Sequence, residues 1–182
     1  HMAIKLFFFA SLRLSVRTFL LLNNSVNSIS LQKYTKMKTY KIALGCDHAG
    51  YSTKESIKSY LEDFGCKVWD FGTHSEDSVD YPDFAHPLAK SVDEGDYDFG
   101  ILFCGSGNGV NIVANKYQGV RSALCWNEEI AKLARLHNNA NVCAIPARFV
   151  DLHEAKLIVK AFLDSQFEDG RHSRRVDKIP IK

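Results

Sequence analysis

Phe99-Gly100-Ile101-Leu102-Phe103-Cys104-Gly105-Ser106-Gly107-Asn108-Gly109 runs an apolar segment straight into three glycines spread over five residues. A short continuous apolar run marks a parallel strand buried on both faces, because a half-exposed strand would alternate. In open α/β sheets ligands bind beyond the carboxyl ends of such strands. Glycines at that end let the backbone turn tightly and aim N–H groups at an anionic oxygen. Cys104 is therefore expected where a thiolate and an anion cradle can act on one small molecule.

Outward from this stretch, strand and helix patterns alternate from Met37 to the end. Strands are expected over 40–46, 66–71, 98–104, 120–125 and 141–145. Ile57, Tyr60, Leu61 and Phe64 mark one helix face, with Ser52 and Glu55 in capping-box spacing and Gly65 as a stop. A second helix carries Phe84, Leu88 and Val92, and a short one follows the glycine loop to Lys116. A further helix carries Ile130, Ala131, Ala134 and His137, and Asp151 with Glu154 opens the last. Five strands alternating with helices predict an α/β domain over 37–182, its parallel sheet covered on both faces. The tail Gly170-Arg-His-Ser-Arg-Arg175 is polar and basic.

Residues 1–36 read as an N-terminal extension. Five of the 23 basic residues fall there and no acid does, so the body from Met37 carries 18 basic against 21 acidic residues, a net charge of −3. That balance gives no footprint for nucleic acid. His1-Met2 resembles a cloning scar. The apolar, basic segment 3–22 reads either as a targeting peptide or as translated upstream sequence ahead of a start at Met37. Arg13 and Arg17 interrupt its apolar run, which argues against a membrane span. The five cysteines are odd in number and form no C-x-x-C. Cys46, Cys66, Cys125 and Cys143 read as buried reduced thiols, consistent with a cytoplasmic protein.

Chemistry-bearing residues gather near three strand ends. Asp47 and His48 follow the first strand, Cys104 and the glycines end the third, and His137 with Asn138 precedes the fifth. Dipoles of a glycine loop opening a helix favour a thiolate, so a depressed pKa is expected for Cys104. Asp47 and His48 read equally well as a loop-bracing pair, and His137, seven residues after Ile130, as a core-facing histidine. Arg171 and Arg175, four apart, read as a solvated charge run or as a phosphate clamp. His74, His86, His153 and His172 read as surface or packing residues. No cluster of His, Asp and Glu has metal-ligand spacing, so no metal is expected. Val110 stands where a dinucleotide fingerprint needs its third glycine and where a cysteine phosphatase loop needs its arginine.

Six motifs then occur in order: Gly45-Cys-Asp-His-Ala-Gly50, Asp80-Tyr-Pro82, Cys104-Gly-Ser-Gly-Asn-Gly109, Ala114-Asn-Lys116, Arg135-Leu-His-Asn138 and Gly170-Arg-His-Ser-Arg-Arg175. Together they closely resemble the B-type ribose-5-phosphate isomerases, within the sugar-phosphate isomerase family that includes galactose-6-phosphate isomerase subunits. The resemblance implies a three-layer α/β/α sandwich with a five-stranded parallel, Rossmann-like sheet. It implies a homodimer or homotetramer with sites at the subunit interface, no membrane or nucleic-acid partner, and no cofactor.

The implied activity is interconversion of D-ribose 5-phosphate and D-ribulose 5-phosphate through an enediolate, a pentose phosphate pathway step. Cys104 would be the base, and the amides of Gly105, Gly107, Asn108 and Gly109 would hold the oxyanion. Ser106 stands where many relatives have threonine and keeps the hydroxyl. His137 would assist ring opening, Asp47 and Tyr81 would position sugar hydroxyls, and Asn138 would contact the sugar. His48, Arg171 and Arg175 would hold the phosphate, some from the neighbouring subunit. Val110 replaces the glutamate of another branch, so the chain follows the cysteine branch. Pro146 departs from a frequent glycine. A hexose 6-phosphate isomerase and a non-catalytic sugar-phosphate-binding subunit are the alternative readings.

Overall fold

A computed structural model describes residues 38–181, so the readings placed on 1–36 lie outside the described residues. Five strands form one sheet: β1 (Lys41–Cys46), β2 (Lys67–Asp70), β3 (Phe99–Cys104), β4 (Ser122–Leu124) and β5 (Val142–Pro146). Every pairing is parallel and the order is β2-β1-β3-β5-β4. The helices are α1 (Tyr51–Asp63), α2 (Pro82–Asp93), α3 (Asn108–Ala114), α4 (Glu128–Asn138), α5 (Leu152–Asp164) and the short α6 (Ser173–Val176).

The period-2 geometry of strands sorts their residues into two cores. Ile42, Leu44, Cys46, Ile101, Phe103, Cys143 and Ile145 face one way, with Ile57, Leu61, Ala131, Ile158 and Phe162 from α1, α4 and α5. Ala43, Leu102, Cys104, Val142 and Ala144 face the other, with Leu88 and Val92 of α2 and Val110 and Val113 of α3. Helices thus cover both faces, giving the three layers expected. All six residues of β3 are buried, as its unbroken apolar run requires.

Local signals held unevenly. Asp151 caps α5, its carboxylate accepting from Glu154 N–H at 2.8 Å. The Ser52–Glu55 capping box did not form, because Asp47 starts the structure earlier. Its carboxylate accepts from Gly50 N–H at 3.1 Å, nucleating a 3-10 turn over His48–Gly50 that runs directly into α1. Among the described residues no helix is long and apolar enough to cross a membrane.

The strand order sets the location of the crevice. After β2 the chain passes back over β1 to build β3 on its other side, so the sheet switches direction between β1 and β3. Ligands of doubly wound sheets bind outside the carboxyl ends at such a point.

Candidate active site

Cys46 of β1 is in register with Phe103 of β3. The ladder extends one residue further, Asp47 N–H donating to Phe103 O at 3.1 Å, and this sets Asp47 beside Cys104. The Asp47 carboxylate and the N–H groups of Ser106 and Gly107 act on the same sulfur. Gly107 makes that loop turn possible. Its φ of +72° is left-handed, and a Cβ there would come within 2.5 Å of Leu124 Cδ1.

Burial pushes the Cys104 thiol above its ordinary range, and the Asp47 carboxylate adds to this against the opposing Ser106 and Gly107 dipoles. The expected depressed pKa is therefore corrected for this state of the protein. The loop dipoles are present, but desolvation and a neighbouring anion outweigh them. Cys46 projects to the opposite face of the sheet, where burial pushes its thiol up to about 12.

Other expected residues line the same rim. A Cβ at Gly109 would lie 2.7 Å from the Tyr81 ring, so the missing side chain is what lets Tyr81 cover the loop. His48 Nδ1 accepts from Val79 N–H at 3.3 Å, leaving Nε2 as the ring's proton-bearing nitrogen in its neutral form. Ser106 and Asn108 are exposed at the loop's tip, with Ser106 Oγ accepting from Asn108 N–H at 3.4 Å. Sequence reasoning missed Arg148, whose guanidinium carbon would lie 3.4 Å from a Cβ at Gly105. Its backbone N–H donates to Gly105 O at 3.2 Å. A basic residue directly after the fifth strand was the available signal.

Behind this rim, buried Lys54 donates to both oxygens of Asp70 at 2.6 Å, and Asp70 accepts from Gly72 N–H at 2.9 Å. Gly72 O in turn accepts from Cys46 N–H at 2.6 Å. This chain of bonds ties the loop after β2 to the strand end that carries Asp47. Burial disfavours both charges, yet their mutual bonds hold the Asp70 carboxyl below and the Lys54 ammonium above their usual ranges.

His137, Asn138, Arg171 and Arg175 are not on this rim. α4 runs antiparallel to the strands and ends at the start of β5, so His137 lies at the amino ends of the sheet. Gly100 to Cys104 of β3, paired with Val142 to Pro146 of β5, separate the two rims by about 13 Å. His137 is a partly exposed side chain rather than a core histidine, and its ring stacks on His172 with centroids 4.3 Å apart. His172, only 6% exposed, was passed over as a packing residue. Desolvation, then His137 and Arg171, hold its imidazole below the usual histidine range. Arg171 Nε donates to His172 Nε2 at 3.2 Å, whereas Arg175 is exposed on α6. Arg135, beneath this rim, is structural: its guanidinium lies over the Phe99 and Phe162 rings and donates to Asn139 Oδ1 at 3.0 Å.

The structure thus defines a parallel α/β protein with a buried thiol, a carboxylate and an N–H-lined loop at its switch point. The chain matches the Ribose/Galactose Isomerase family over residues 42–179 and belongs to it. It is 46% identical over 139 residues to ribose-5-phosphate isomerase B of Escherichia coli, covering 76% of this chain and 93% of that protein. The crystal structure of a ribose 5-phosphate isomerase from Thermotoga maritima superposes with a TM-score of 0.77 at 48% identity, over 79% of this chain and 99% of that one. Ribose-5-phosphate isomerase B of Mycoplasma genitalium with bound ribulose-5-phosphate superposes with a TM-score of 0.74 at 45% identity, over 76% and 93%.

Proposed function

We propose that the protein interconverts D-ribose 5-phosphate and D-ribulose 5-phosphate through an enediolate. The observation that carries the reading is the Asp47–Cys104 pair set against the glycine loop at the switch point, within a chain of this family. Cys104 removes the C2 proton of the aldose as a thiolate and returns it to C1, while a proton passes between O1 and O2. The N–H dipoles of Ser106 and Gly107 are the groups that favour the thiolate, while Asp47, beside the thiol, positions a sugar hydroxyl. The amides of Gly105, Gly107, Asn108 and Gly109 stabilise charge developing on the substrate oxygen, and the Ser106 hydroxyl adds a donor. Tyr81 positions sugar hydroxyls over the loop.

His137 opens the furanose ring, Asn138 contacts the sugar, and Arg171 and Arg175 hold the phosphate together with His48. Since His137, Asn138, Arg171 and Arg175 occupy the amino rim, they serve the thiol of a second copy. The functional unit is a homodimer or a homotetramer of such dimers, each site drawing on both rims. The rim separation supports this arrangement.

The experiment is turnover of ribose 5-phosphate beside allose and galactose 6-phosphates, with Cys104→Ser as control. Preferred turnover of the pentose, abolished in folded Cys104→Ser, is expected. Preference for a hexose overturns the substrate, near-normal activity of the variant overturns the role of Cys104, and no turnover of any of the three indicates a binding subunit.

A further inference from the structure

The last turn of α4 and the segment leading into α6 bring three metal-ligating side chains to one point. His137 Nε2 and His172 Nε2 each lie 3.7 Å from the same oxygen, Oε2 of Glu168. The three donor atoms lie within 4.8 Å of one another. We propose that His137, Glu168 and His172 form a capture site for a borderline divalent transition-metal ion such as Zn2+, and that its occupancy disables the amino-rim half of the active site.

Two imidazoles and one carboxylate are a donor set that holds Zn2+ while leaving a position open to water. Imidazole donors also select this class of ion over Mg2+ and Ca2+, which take oxygen ligands. A tetrahedral ion about 2.1 Å from each donor needs its ligands roughly 3.4 Å apart, so closure asks for movements of about an ångström. The framework for that closure exists already. Glu168 N–H donates to Leu136 O at 3.0 Å, fixing its segment on the last turn of α4. His172 is buried and supplies a fixed ligand, whereas His137 and Glu168 are partly exposed and free to adjust. The two rings stack within 2° of parallel, and both Nε2 atoms lie on the Glu168 side of the stack. His137, on the open side of the stack, is the ring with room to tilt.

Two cationic neighbours define what kind of site this is. Arg171 Nε donates to the His172 lone pair and must swing away when metal binds. Like charge from Arg171 and Arg175 also lowers the affinity. The site is therefore reversible rather than structural. Capture takes the ring-opening His137 and frees Arg171 from its anchored position in one event. The inhibitory consequence rests on the functional reading above; metal capture itself does not.

Zn2+ titrated calorimetrically into the purified full chain tests capture without reference to turnover. One ion per chain should bind, and Cys104→Ser should bind equally, since the thiol is not one of the three ligands. Glu168→Gln should bind about tenfold or more weaker. In the unsubstituted protein, the ring C–H NMR signals of two of the seven histidines should shift on Zn2+ addition. Activity should fall in parallel and return with a chelator. Absence of saturable binding, binding lost in Cys104→Ser, undiminished binding in Glu168→Gln, or shifts at histidines other than His137 and His172 overturns the metal site. Full occupancy with unchanged turnover overturns only the inhibition.

Discussion

Two inactive variants of this chain should restore each other. Cys104→Ser destroys the carboxyl-rim half of the site and leaves His137 intact, while His137→Gln does the reverse. A base and an acid acting on one sugar must each come within hydrogen-bond reach of it, about 3 Å. The β3–β5 register holds these two about 13 Å apart or more in one protomer, so neither chain can unite them. In a two-fold dimer that pairs opposite rims, a hybrid of the two variants has one site with both lesions and one with none. Random reassortment makes half of the dimers hybrids, and each hybrid has one of two sites intact. The mixture should therefore recover about a quarter of the unsubstituted specific activity. Coexpression with two different affinity tags isolates the hybrids, whose activity should be about half. Purified, folded hybrids as inactive as their parents would refute a site divided between copies.

Two further outcomes follow from the charge network. Alkylation of Cys104 by iodoacetamide, followed by peptide mass spectrometry, should be slower at neutral pH than that of a free thiol. It should climb with pH toward a midpoint above the ordinary thiol value, because burial and Asp47 raise it. Asp47→Asn keeps a capping oxygen while removing the charge, and should speed alkylation about tenfold at neutral pH; an unchanged rate rules out electrostatic control by Asp47. Lys54→Met leaves buried Asp70 with Lys58 at 3.3 Å and the Gly72 N–H as partners, and should cost about 3 kcal/mol in denaturant unfolding. Adding Asp70→Asn should recover much of that loss. The Asp70 share of stability is present above the unfolded carboxyl pKa and is lost as pH falls through its depressed folded value.

The sheet was legible in the sequence because each buried strand appears as an unbroken apolar run or strict alternation. Both the core face of Cys104 and the junction at Asp47 follow from that pattern. The capping box failed because Ser52 and Glu55 were read without Asp47, whose cap on Gly50 N–H, five residues ahead of Ser52, took precedence. The motifs name Asp47, Tyr81 and the glycine loop, and the fold brings these to one rim. They were silent on distance between rims, since a motif carries no direction along the sheet. Only the antiparallel course of α4 places His137 at the far end. Glu168 and His172 were missed although they stand four apart, because their third partner is remote in sequence. The thiol's raised pKa was equally hidden: loop dipoles can be read from glycines, but desolvation depends on what packs above them.

The distance between the rims also sets how the protein responds to its own abundance. If each site is divided between copies as proposed, a chain alone has no turnover and activity per chain follows the fraction associated. On dilution below the dimer dissociation constant, rate should drop with the square of concentration rather than in proportion to it. Each molecule of this protein would then act as an obligate activator of its neighbour.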